Sequence, residues 1–213
     1  MNLFNGYNLT EKPKTDFMDK RMKQQIAFIL EADKLKNVIR RNYLTDDSRL
    51  ENTAEHTWHS TLMALLLFEH AENREELDLL HIIRMITIHD LVEIEAGDTF
   101  MFDVEANRNK FDRENQAAKK IFTILPYDQG KEYYDLWLEF EKEETPNAIF
   151  AASVDKIMPV LLNTHSKGTS WREAEITSGK VFETLNIIGK GPKKIADLLK
   201  ELVAESLKKG NLT

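Results

Sequence analysis

Residues 86–98 read ITIHDLVEIEAGD. The run opens apolar and then delivers His89, Asp90, Glu93, Glu95 and Asp98 where the hydrophobic pattern says core. Burying an unpaired carboxylate costs several kcal/mol or forces it to take up a proton. These groups therefore need a surface position, arginine or lysine partners, or a metal ion. Upstream, Leu79, Ile82, Ile83, Ile86 and His89 recur at helical spacing, which predicts a helix over Glu75–Val92 with His89 pointing inward. Glu93 shares that face if the helix continues one turn further.

Outward from this stretch the same period holds. With only 8 Gly and 5 Pro in 213 residues, the chain is expected to be all-α, a helical bundle in a single domain. Residues 1–18 are expected to form a loosely ordered arm and residues 19–213 the bundle. Met22, Ile26, Ile29, Leu30 and Leu35 stripe a helix from Lys20 to about Val38, and the polar RRNYLTDDSRLEN follows as a connection. Asn52 or Thr53, with Glu55 close behind, caps a helix running to about His70. Residues 95–108 lack a period and hold Gly97, so a loop over the site is predicted. Further helices are expected over 112–125 and 130–143, from Thr145-Pro146 onward, and after Gly191-Pro192.

Composition narrows the partners. A net charge of −7 argues against a nucleic-acid polymer or a membrane surface, yet leaves room for a small anionic substrate met by a few local cations. No apolar run approaches the roughly 20 residues needed to cross a bilayer, and the polar N-terminus does not read as a signal peptide. The chain has no cysteine, so disulfides and thiolate sites are excluded. A cytoplasmic protein is expected.

Two more segments place ligand-type side chains on buried faces. AEHTWHS sets His56 and His59 at the start of a helix, and IFAASVDKIMPVL sets Asp155 beside small alanines. One divalent cation would satisfy His56, His89, Asp90 and Asp155 together. That mixed nitrogen and oxygen set suits Mn, Fe, Co, Ni or Zn, with Mg less suited. Four protein ligands leave positions open, as a catalytic rather than a structural site requires. Pro159, which cannot donate to the carbonyl of Asp155, is expected to bend its helix, and the bend either accommodates the bundle or aims Asp155.

His56, His89-Asp90 and Asp155 in this order resemble the H…HD…D signature of the HD-domain metallophosphohydrolases. HDLVEIEAGD is similar to the H-D-x-x-E-x-x-x-G-D stretch of the YfbR-type 5′-deoxynucleotidases, and RLENTAEHTWH resembles related uncharacterised HD-domain hydrolases. The resemblance runs from about Lys20 to Trp171. It implies His56, His89, Asp90 and Asp155 as metal ligands, Glu93 as the residue that positions or activates water, and Asp98 as a contact to the sugar or leaving oxygen. It further implies a homodimer. An arginine ahead of the first histidine binds phosphate in those nucleotidases, and Arg40 or Arg41 fills that place here. The tryptophan that lies near it there is replaced by Asn42-Tyr43.

The expected function is a metal-dependent phosphomonoesterase acting on (deoxy)nucleoside 5′-monophosphates. The alternatives are another phosphorylated substrate, such as a nucleoside triphosphate or a cyclic diester, and a non-catalytic metal- or nucleotide-binding module. Arg49 joins Arg40 and Arg41 as a candidate phosphate contact. His59 is a candidate for phosphate contact or for a hydrogen bond behind a ligand.

Overall fold

Asp19 opens the first helix, its side chain accepting a hydrogen bond from the backbone N–H of Arg21. From there the computed structural model describes residues 19–212; the expected N-terminal arm, 1–18, lies outside the described residues. Helix α1 spans Lys20–Ala32 and tightens into a 3₁₀ turn over Asp33–Asn37. It meets the core through Phe28, which packs against the rings of Phe122 and Tyr133. The stripe of Met22, Ile26, Ile29 and Leu30 faces outward instead.

The polar connection is not a loop. It folds into an antiparallel hairpin of β1, Ile39–Tyr43, and β2, Leu50–Asn52. Register runs Ile39 to Asn52 and Tyr43 to Leu50, so β1 carries more residues than its partner and is irregular between those pairs. Such irregularities re-aim side chains, and here Arg40, Arg41 and Asn42, consecutive residues, all line one cavity.

Asn52 resolves the capping alternative. Its side chain accepts from the N–H of Glu55 while Glu55 reaches back to the N–H of Asn52, a reciprocal capping box that starts α2, Thr53–Leu67. Asp78 caps α3, Leu79–His89, whose inward face is Ile82, Met85, Ile86 and His89. The expected single helix to Val92 breaks there: Asp90–Val92 is a 3₁₀ turn, and α4 covers only Glu93–Ala96 before Gly97, at φ 75°, turns the chain. The expected loop holds one short helix, α5, Val104–Asn107.

Beyond it lie α6, Lys110–Phe122, α7, Tyr127–Lys142, and α8, Pro146–His165, which runs through Pro159. Thr145 caps α8 with Pro146 at its first position, as expected. Two helices went unread in the sequence: α9, Thr169–Glu173, and α10, Ser178–Ile188. The last, α11, is Lys193–Lys208. Helix α8 sits centrally, touching α2, α3, α7, α10 and α11. One continuous apolar core extends from Phe28 to Leu212. Among the described residues no helix is long and apolar enough to cross a membrane.

Candidate metal centre

Three helices converge on one point. The first turn of α2 carries His56, the last residue of α3 is His89, Asp90 follows it, and the middle of α8 carries Asp155. One ligand atom from each of these four lies within 4.8 Å of every other. Nε2 of His56 is 2.6 Å from Oδ1 of Asp155, and Nε2 of His89 is 3.0 Å from Oδ1 of Asp90 and 3.4 Å from Oδ1 of Asp155.

The far side of each imidazole faces an acceptor, and only that of His89 is hydrogen-bonded to it. His89 donates from Nδ1 to the carbonyl of Ile86 at 2.8 Å, which leaves Nε2 as the nitrogen turned toward the carboxylates. That Nε2 is buried and makes no hydrogen bond despite the nearby carboxylates. Nδ1 of His56 faces Oε2 of Glu51 at 3.5 Å, a carboxylate behind a histidine as metal sites commonly have. Two nitrogens and two carboxylates, all aimed inward with one nitrogen unpartnered, fit a divalent cation. Charge agrees: burial works to discharge His56, and the hydrogen bond and charge of Asp155 outweigh it, raising the imidazole to about 9. Protonation thus supplies the positive charge that a cation would bring. Asp155 sits well below the usual carboxylate range because both histidines outweigh its burial.

Beside this cluster stands Arg40, its side chain only 12% exposed. It lies 3.3 Å from Asp98, 3.7 Å from Asp90, 3.9 Å from Glu93 and 3.9 Å from Glu51. None of these contacts is a hydrogen bond, and its buried Nε has no partner. The 3₁₀ turn explains the convergence. Side chains at i and i+3 eclipse in a 3₁₀ helix, so Asp90 and Glu93 both reach Arg40. A continued α-helix would have set Glu93 under His89, as the sequence reading expected. Thr53 donates to Oε2 of Glu93 at 2.9 Å. Burial and then the charge of Asp90 push Glu93 up to about 8, and burial likewise raises Asp98.

These groups open on a cavity of about 160 Å³ that water-sized molecules can enter. Its outer wall includes Phe100 and Phe102 from the 97–103 loop. Arg41 is exposed at the rim with its guanidinium 5.6 Å over the Phe100 ring. Arg49 and His59 are not brought to the cavity. Arg49 is 53% exposed and makes a two-pronged pair with Glu55 at 2.7 and 2.8 Å, bracing the α2 cap. His59 lies one helical turn past His56 with its ring 5.4 Å from exposed Trp58.

Sequence reasoning missed Glu51, Thr53, Lys110 and Glu114. Glu51 is hidden in the polar segment because its burial depends on the hairpin. Lys110 and Glu114 look like an ordinary solvated i, i+4 pair, yet Glu114 is 2% exposed.

This bundle brings two histidines and two aspartates together as a candidate metal centre. The chain belongs to the HD-domain family, whose model matches residues 32–196. It is similar to a solved structure from Magnetospirillum magnetotacticum MS-1 described as a predicted metal-dependent phosphohydrolase. The two are 41% identical with a TM-score of 0.86, over 91% of this chain and 96% of that one. The human 5′-deoxynucleotidase HDDC2 is 26% identical over 84% of this chain and 85% of its own length. The 5′-deoxynucleotidase HDDC2 of Dictyostelium discoideum is 29% identical over 66% of this chain and 76% of its own.

Proposed function

We propose that the chain is a phosphomonoesterase that releases phosphate from (deoxy)nucleoside 5′-monophosphates, with residues 19–213 as one catalytic unit. The observation that carries this reading is Arg40, buried beside the four-ligand cluster with its donors unspent. A guanidinium so placed matches the paired oxygens of a phosphoryl group. The activity named for the HDDC2 relatives supports the same substrate class.

His56, His89, Asp90 and Asp155 would hold a divalent transition metal, Mn, Fe, Co, Ni or Zn, with Mg less suited. Such an ion, when bound, neutralises phosphoryl charge and acidifies water. With the charge of a bound cation beside it, Glu93, fixed by Thr53, would stand as a carboxylate able to accept the proton of the attacking water. Asp98, held 3.3 Å from Arg40, contacts the sugar or hands a proton to the leaving oxygen. Arg40 takes the phosphoryl oxygens, and Arg41 guards the rim against Phe100.

The test is metal content together with phosphate release from a panel of nucleoside 5′-monophosphates, comparing wild type with Asp90→Ala. Near-stoichiometric metal and turnover, both lost in the variant, are expected. Metal without phosphate release moves the reading to a triphosphate, a cyclic diester or a non-catalytic module. No metal after reloading overturns it. The outward stripe of Met22, Ile26, Ile29 and Leu30 supports a homodimer, which light scattering tests. A cysteine-free chain suits the cytoplasm, and cell fractionation tests that location.

A further inference from the structure

Four cationic side chains line the cavity, and three are accounted for. Arg40 stands among the carboxylates, Arg41 stacks on Phe100 at the rim, and Lys156 pairs with Glu143 at 2.8 Å. The fourth is Lys110, the first residue of α6. Its Nζ lies 3.5 Å from Oε2 of Glu114, one turn along the helix. That is long for a charge-assisted hydrogen bond, which closes to roughly 2.8 Å. Among the described residues Lys110 makes no other ion pair and no hydrogen bond. An ammonium carries three donors, so its capacity is almost entirely unspent.

The surroundings hold this lysine in place and charged. Phe111 stacks on Trp137, with centroids 5.9 Å apart and planes 21° apart, anchoring the first turn of α6. Arg113 donates to the carbonyls of Ala96 and Ala106 and to Oγ1 of Thr99, tying that turn to the loop that carries Asp98. Burial works to discharge Lys110, and the carboxylates of Glu141, Glu114, Asp155 and Asp90 outweigh it, raising its pKa. Glu114 itself is buried, and its Oε1 has no hydrogen-bond partner. A surface salt bridge would have both groups in water. Here Glu114 is buried, while Lys110 lines the cavity with 35% of its side chain exposed.

We propose that Lys110 binds the phosphoryl oxygens of the substrate from a second wall of the cavity, with Glu114 as its positioning residue. This deepens the phosphohydrolase reading and rests on it. Arg40 and Lys110 then grip one dianion from the hairpin and from α6, two elements far apart in sequence.

The experiment titrates inorganic phosphate into manganese-loaded wild type, Lys110→Met, Lys110→Arg and Glu114→Gln by calorimetry, with nucleotide kinetics in parallel. Circular dichroism and metal content verify the fold of each variant. Lys110→Met is expected to weaken phosphate binding roughly tenfold and to raise KM by a similar factor, the worth of one charged hydrogen bond. Lys110→Arg should restore most of that loss, and Glu114→Gln should fall between. If Lys110→Met does not fold, Lys110→Gln carries the same comparison. A folded, metal-loaded variant that binds phosphate within about twofold of wild type, or a wild type that binds none, overturns the inference. Lys110-dependent phosphate binding without turnover of any nucleotide would instead uphold it while sinking the nucleotidase reading.

Discussion

Two arginines stand on one hairpin and have opposite fates. Arg40 sits in the irregular stretch of β1, 12% exposed, near four carboxylates without a hydrogen bond to any of them. Arg49 enters β2 from solvent, 53% exposed, with a two-pronged pair to Glu55. By composition they are interchangeable. The difference is that Arg49 has spent its donors on a capping residue in water, whereas Arg40 keeps its donors in a place where water is scarce. A charge becomes a binding group when it is desolvated, held in place and not yet satisfied.

The sharpest way to break that contrast is to remove what Arg40 stands beside. Asp155→Ala takes away the carboxylate that meets both histidines, and should abolish metal uptake and lower kcat/KM by roughly a thousandfold or more. If metal stays bound and turnover persists, the cluster is not the centre of the site. Arg40→Ala should retain the metal yet lose roughly a hundredfold in kcat/KM. Metal analysis beside kinetics separates the two effects, and full activity in this variant would leave Arg40 no more important than Arg49.

A smaller effect sharpens the same point on the opposite wall. Burial, with Glu141 and Asp90 close by, pushes Glu114 up to about 7 from the ordinary 4.5. The native state therefore holds a proton that the unfolded chain releases, and stability falls as pH rises between those values. Glu114→Gln should remove a pH-dependent loss on the order of 3 kcal/mol across that window. Urea unfolding of both proteins at several pH values measures the difference, and parallel curves would refute it. Smallest of all, Arg49→Ala should leave kcat/KM within about twofold of wild type, because an exposed pair contributes little.

Much of the site was legible because its chemistry is encoded locally. His89, Asp90 and Asp155 are polar residues at inward positions of apolar periods, a conflict that only a charge partner resolves. His56 followed a capping signal that the structure reproduces at Asn52. Glu93 reaches the cavity by a geometry other than the one expected: helix periodicity placed it under His89, but the chain tightens at Asp90–Val92. Arg49 and His59 stand near a ligand in sequence yet do not line the cavity, because nearness in sequence says nothing about facing. Glu51 and Glu114 were invisible because each is buried by elements distant in sequence. The stripe was read correctly as helical, but of its residues only Leu35, in the 3₁₀ turn after α1, is buried, and it is Phe28 that carries α1 into the core.

The sequence by itself determined the helical class, the four groups able to hold a cation, and the acidic residues that follow them. Those depend on period and residue type, which are properties of short windows. Only the tertiary structure decided which arginine enters the cavity, that the polar connection is a hairpin, and that Lys110 lines the same cavity as Arg40. Burial and orientation of a long charged side chain depend on what the rest of the chain packs around it, and no local pattern carries that information.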